Sequence, residues 1–101
     1  MGKQRTACDI SAKVRNEVLE RDNHSCFICG NYNVQIAHYI SRARGGLGIK
    51  ENLACMCVKC HGQYDNGNFH KEIKNEFKGY LKAHYPYWDE SKLVYKKYKE
   101  F

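Results

Sequence analysis

The stretch Cys57-Val58-Lys59-Cys60-His61-Gly62-Gln63-Tyr64-Asp65 decides the reading of this chain, together with its upstream counterpart Cys26-Phe27-Ile28-Cys29. Each contains a C-x-x-C turn, which sets two thiolates at neighbouring corners of a tetrahedron. Two such turns close a four-sulfur site of the kind zinc takes, with zinc–sulfur bonds of about 2.3 Å. The 27 residues from Gly30 to Met56 separate the pairs, more than the roughly 15–20 of common zinc modules. The site therefore has to pin an inserted strand-loop-strand segment, not a short finger. Four buried or redox-active thiols are the competing reading. Cys8 and Cys55 are left over. Cys55 lies two residues before Cys57 and shares its strand face, which makes it the rival ligand; its other reading is a small buried apolar residue.

Working outward, residues 1–10 form a polar leader, and a helix is expected from Ser11. Val14, Val18 and Leu19 recur at helical spacing, with Ser11 or Asp9 as N-cap and Asp22-Asn23-His24 as the stop. Val34 to Ile40 reads as a strand with residues 34, 36 and 40 on one side. Gly45-Gly46-Leu47-Gly48 breaks regular structure. Leu53 to Val58 reads as a second strand, and Cys60 to Asp65 opens a helix closed by Asn66-Gly67-Asn68. Phe69, Ile73, Phe77, Tyr80, Leu81 and His84 make one helical stripe that Pro86 ends. A last short helix is expected from Asp89 to Tyr98, burying Leu93, Val94 and Tyr98.

The whole chain bounds this reading. With 101 residues it fits one domain. No apolar run approaches the roughly 18 residues needed to span a membrane, and no apolar segment follows Met1-Gly2-Lys3-Gln4-Arg5 as a signal peptide would require. The expected setting is therefore cytoplasmic, and there cysteines are metal ligands or free thiols before they are disulfides. A net charge of +6 favours a polyanionic partner but also serves solubility. The mean hydropathy of −0.74 forecasts a thin core, to which a bound zinc would add about 10–16 kcal/mol.

Between and beside the cysteine turns lie His38, Asn52 and His61. The order is helix, C-x-x-C, strand ending in His38, Gly45-Gly46 loop, Glu51-Asn52-Leu53, then Cys57-x-x-Cys60-His61. In this order and spacing, over residues 12 to 67, the chain resembles the HNH endonucleases, of a standalone bacterial or phage type. The resemblance implies an α+β fold with a ββα-metal (His-Me finger) core, stapled by a four-cysteine zinc site and flanked by N- and C-terminal helices. The whole of 1–101 would be one nuclease domain, with a helical extension over 69–101. It implies His38 as general base, Asn52 as the brace that orients it, and His61 as a ligand of a catalytic metal. The activity implied is hydrolysis of DNA phosphodiester bonds, with nicking and double-strand cleavage both open.

The chemistry of the residues agrees. An imidazole with an ordinary pKa of about 6.5 is a competent base at neutral pH. Asp65 follows His61 by four residues, and an i, i+4 pair on one helical face can grip one ion. Nitrogen plus carboxylate suits Mg²⁺, Mn²⁺, Ni²⁺ or Zn²⁺ without choosing among them. The position before His38, where many members carry another ligand, is Ala37 here, so that either His61 and Asp65 alone hold the ion or His38 ligates it and another group is the base; Gln35 is close by but a poor ligand. Taken singly, each of these residues has a plainer reading: a satisfied strand-end histidine, a helix cap, a turn.

Arg42 and Arg44 open the glycine loop and are the candidates to fork onto phosphates, with Lys50 and Lys59 adding field. Lys92 to Lys99 could track a backbone but reads first as a solvated face, and Tyr85, Tyr87 and Trp88 read as packing residues. With no helix-turn-helix or finger array, low sequence specificity is expected. The alternative function is a zinc-stapled DNA-binding module without catalysis. Monomer and dimer are both compatible, as are phage packaging, mobility and host-defence settings.

Overall fold

The computed structural model describes residues 7–95. Among the described residues, three α-helices and one two-stranded sheet make a small α+β fold: α1 (Ala12–Arg21), β1 (Val34–His38), β2 (Leu53–Cys57), α2 (Val58–Asn66) and α3 (His70–His84), with 3₁₀ turns at Arg42–Arg44, Lys50–Asn52 and Glu90–Lys92. The strands run antiparallel, pairing Val34 with Cys57 and His38 with Leu53. Among the described residues no helix is long and apolar enough to cross a membrane.

Both faces of β2 are covered, and its sequence, Leu-Ala-Cys-Met-Cys, is apolar throughout for that reason. Leu53 and Cys55 face Val18 of α1 in one cluster. Ala54 and Met56 face the other way, into a core with Ala37, Tyr39, Tyr64, Phe77 and Leu81. Tyr39 and Phe27 extend that core as aromatic contacts with Phe77, at ring-centroid distances of 5.4 and 5.1 Å. Ser11 caps α1 by accepting from the Val14 N–H. Asn23 and His24 then turn the chain at positive φ.

Four element boundaries differ from the sequence reading. β1 ends at His38, not Ile40, because the Asn52 side chain takes over the next backbone groups: its Oδ1 accepts from the Ile40 N–H at 2.8 Å and its Nδ2 donates to the Ile40 carbonyl at 3.2 Å. β2 passes into α2 with no loop, so Val58 is helical; the Cys57 thiol accepts from the Cys60 N–H at 3.4 Å and serves as N-cap. α3 starts at His70, leaving Phe69 outside the helix and half exposed. Of the last expected helix, the described residues form only the turn Glu90–Lys92, capped by Asp89. The chain then runs extended beside the glycine loop, with the Leu47 N–H donating to the Leu93 carbonyl and the Tyr95 N–H to the Gly45 carbonyl, both at 2.8 Å. Gly46 lets the loop fold back on the residues after β1, since a Cβ there would lie 1.7 Å from the Ile40 carbonyl oxygen. Leu93 is buried as expected and Val94 partly so; Tyr98 and residues 96–99 lie outside the described residues.

One buried charge ties the layers together. Asp22 is 5% exposed. Its carboxylate accepts from Arg21 at 2.6 and 3.0 Å, from the Cys55 N–H of β2 at 2.8 Å, and from the Tyr80 hydroxyl of α3. Arg21 reaches on to the Leu53 carbonyl at 2.7 Å and the Tyr85 hydroxyl at 3.0 Å. Burial alone would push the Asp22 carboxyl up, but these donors outweigh it and hold the group below the usual carboxylate range. A carboxyl depressed in the folded state stabilises above its unfolded pKa, about 3.9, and that stabilisation is lost as pH falls through the folded value. Asp22→Asn should therefore cost about 3–5 kcal/mol at pH 7, the scale for orphaning one partner of a buried ion pair. Urea unfolding at pH 7 and at pH 3 checks this: the gap between variant and wild type should narrow in acid. An equal gap at both pH values would mean the charge is not what matters.

Candidate functional site

Two groups of side chains stand out, and α2 carries part of each. The first is the cysteine cluster. The Sγ atoms of Cys26, Cys29, Cys57 and Cys60 all lie within 4.8 Å of one another, and those of Cys29 and Cys57 are 3.5 Å apart. A tetrahedron with 2.3 Å zinc–sulfur bonds has edges of about 3.8 Å, so the four cysteines are positioned to bind a metal ion. The Cys26 turn closes through the Gly30 N–H, which donates to the Cys26 carbonyl at 2.9 Å, with Gly30 at φ 81°. Burial raises the Cys26 thiol, yet nearby backbone N–H groups more than compensate and bring it down to about 7. Burial and the neighbouring thiols push Cys60 well up. Four thiols crowded in this way resist ionising together unless a cation takes their protons' place.

Cys55, the rival ligand, lies outside this group. Its thiol faces α1, 3.9 Å from the Val18 carbonyl, and burial pushes it up to about 12. Strand alternation does put Cys55 and Cys57 on one face, but Cys57 also turns the corner into α2 and so joins a different cluster. Cys8 is buried as well, in the segment preceding α1.

The second group surrounds a cleft of about 350 Å³ whose walls include His38, Ser41, Arg42, His61 and Asp65. β1 brings His38 to it as the last strand residue. α2 brings His61 and Asp65, whose Nε2 and Oδ2 atoms are 3.3 Å apart. The His61 Nδ1 is 2.7 Å from Gln35 Oε1. An amide oxygen only accepts, so Nδ1 carries the proton, and in the neutral ring Nε2 presents a lone pair. The ring nitrogen and the carboxylate oxygen face each other at 3.3 Å, a spacing at which both can reach one cation and which a protonated ring satisfies as an ion pair. A histidine whose far N–H is held by an oxygen acceptor is also the usual setting of a metal-ligating imidazole. The residues present thus fit a divalent ion. Gln35, dismissed from the sequence as a poor ligand, sits behind His61 as its orienting partner.

His38 donates its Nε2–H to the Cys8 carbonyl at 3.1 Å, which leaves Nδ1 unprotonated in the neutral ring. Burial lowers its pKa, and the charge of Arg42 lowers it further against the opposing pull of the Cys8 carbonyl. Asn52 is fully buried and forms no part of the cleft walls. Besides its two bonds to Ile40, its Nδ2 donates to the Leu47 carbonyl at 2.9 Å, so it knits the inter-strand loop directly after His38. Ala37 is buried on the opposite side of β1, inside the main core. It shares a strand face with Gln35, whose side chain reaches His61.

The two arginines part company. Arg42 is engaged with the segment before α1: its Nη1 donates to the Cys8 carbonyl at 3.0 Å and its Nη2 to Asp9. Arg44 lines an adjoining cleft of about 530 Å³, which shares His38, Ser41 and Asp65 with the first and adds His70 and Lys74. Trp88 and Tyr85 pack as the sequence reading expected. The Trp88 Nε1–H donates to the Glu51 carbonyl at 2.8 Å and its ring meets Tyr39 edge-on, whereas Tyr87 is largely exposed.

A solved structure with this fold exists: that of the Type IV phosphorothioation-dependent restriction endonuclease ScoMcrA, matched with a TM-score of 0.63 over 73% of this chain. What the two share is the fold. Sequence identity is 20%, and the chain spans 16% of the length of that protein. No family model matches the chain, and no curated protein does.

Proposed function

We propose that this domain is a metal-dependent HNH endonuclease that hydrolyses DNA phosphodiester bonds with low sequence specificity, on a ββα-metal core stapled by a four-cysteine zinc site. The observation that carries this reading is the pairing of His61 Nε2 with Asp65 Oδ2 at 3.3 Å in the cleft that also holds His38. The fold shared with part of a restriction endonuclease supports it, as does the basic charge. Residues 1–101 act as one domain in this reading, with α3 and the following turn bracing the core.

His38 is the general base. Its Nε2–H is taken by the Cys8 carbonyl, so Nδ1 is the nitrogen that accepts a proton from water as the phosphorus is attacked. Its lowered pKa keeps it unprotonated at neutral pH. His61 and Asp65 hold the divalent ion, with Gln35 fixing the His61 ring. Such an ion, when bound, supplies counter-charge to the phosphate and to the departing oxygen. Asn52 holds the loop that sets the direction of His38. Arg44 faces the adjoining cleft and neutralises a flanking phosphate. With only two protein ligands, the catalytic ion should bind weakly until DNA completes its shell.

Supercoiled plasmid incubated with the zinc-loaded protein tests the reading. Nicking should need added Mg²⁺, Mn²⁺, Ni²⁺ or Zn²⁺ and should fall at least about tenfold in Asp65→Ala, the scale for loss of metal affinity or activity at such sites. Binding of plasmid with no nicking under any of these ions would leave the non-catalytic DNA-binding module in its place.

A further inference from the structure

We propose that residues 7–9, clamped by Arg42, are a positioning device for His38, so that Asp9 and Arg42 act on the reaction through the imidazole and not through the substrate. This rests on the nuclease reading for its catalytic consequence. The clamp itself stands on geometry alone. The Cys8 carbonyl accepts twice, from His38 Nε2–H at 3.1 Å and from Arg42 Nη1 at 3.0 Å. The second fork of Arg42 pairs with the Asp9 carboxylate. On the other side the Gly48 N–H donates to the Ala7 carbonyl at 3.0 Å. The segment lies so close to Gly48 that a Cβ there would be 2.1 Å from the Asp9 carbonyl oxygen. The Cys8 side chain, 2% exposed, anchors the segment from inside.

One carbonyl oxygen is thus held in place by its own segment and by Arg42, and is presented to His38. A carbonyl admits only the Nε2–H form of the neutral ring, and it removes the ring's freedom to turn about its last torsion. The charge of Arg42 serves this clamp in place of a phosphate. It also explains why the first of two arginines in Arg42-Ala43-Arg44 is tied back while the second opens onto the adjoining cleft.

The experiment compares wild type, Asp9→Ala, Arg42→Gln and Arg42→Lys as zinc-loaded full chains. NMR of ¹⁵N-labelled protein reads the His38 Nε2 proton, and plasmid nicking reads kcat and KM. Asp9 and Arg42 are about half exposed on their side chains, so the variants should fold, which far-UV circular dichroism and zinc content verify. In wild type the Nε2 proton should exchange slowly with water. In Asp9→Ala and Arg42→Gln its protection should drop at least about tenfold. Their kcat should fall about tenfold with KM for DNA within about twofold, a part of the roughly 10²–10⁴-fold that a positioned base contributes. Arg42→Lys should recover part of both. Unchanged protection in the folded variants, or a rise in KM at constant kcat, overturns the proposal; the latter would return Arg42 to phosphate binding. If wild type does not nick at all, the nuclease reading fails. The exchange comparison still decides whether the segment holds the ring.

Discussion

Cys57→Ser should yield a chain that neither retains zinc nor folds. Three roles converge on this one thiol: it ends β2, it caps α2, and it lies 3.5 Å from Cys29 within the four-cysteine cluster. Structural zinc contributes about 10–16 kcal/mol in small peptides, whereas an entire domain of this size is stable by roughly 5–15 kcal/mol. Removing one ligand therefore takes away more than the domain can spare. Metal analysis of the wild type should give one tightly bound zinc per chain, and chelation should unfold it cooperatively. Cys55→Ser is the informative comparison. Its thiol lies outside the cluster, so that variant should keep its zinc and lose only packing against Val18. A Cys57→Ser protein that stays folded and metal-loaded would mean that the four sulfurs are not what staples the fold.

His38→Ala should behave in the opposite way, folding normally and failing in the reaction. The ring is partly buried at the end of β1, bonded to the Cys8 carbonyl and set apart from the main hydrophobic core. Loss of a general base should slow plasmid nicking by about 10²–10⁴-fold. DNA affinity and the thermal midpoint should change little. Because burial and the charge of Arg42 hold the His38 pKa below its ordinary value, the wild-type rate should already be on its plateau at neutral pH. It should decline only as acid protonates the ring below that range. Gel assays across pH, with binding measured alongside, check both points. Equal nicking by wild type and His38→Ala would disqualify this imidazole as the base.

Much of this was legible because it is local. A C-x-x-C spacing, a serine three residues before the Val14 N–H, and an i, i+4 His-Asp pair need only the chain's own geometry. The features that escaped were those set by distant partners. Where β1 ends depends on Asn52, across the inter-strand loop from His38, filling the ladder with a side-chain amide. Asp22 reads as a helix-stopping turn residue, and nothing nearby announces that Tyr80 and the Cys55 N–H will bury it. The segment after Asp89 has helical spacing, yet pairing with the glycine loop wins, through the Leu47 N–H and the Gly45 carbonyl. Arg42 and Arg44 look alike in sequence; the Asp9 carboxylate separates them. Gln35 reads in sequence as a poor metal ligand, and only the fold reveals its oxygen against the His61 ring.

The joint between β2 and α2 has a further consequence. Cys60 and His61 are adjacent on the same helix, one turned toward the cysteine cluster and the other toward the cleft. Each residue of an α-helix advances by about 100°, so the cluster acts as an angular reference for everything after it. Holding Cys57 and Cys60 fixes the rotation of α2, and with it the direction in which His61 and Asp65 project. One residue inserted between Cys60 and His61 would swing both out of the cleft while leaving all four sulfurs in place. The cysteine site is thus more than a fastening: it is the zero mark from which the cleft is measured.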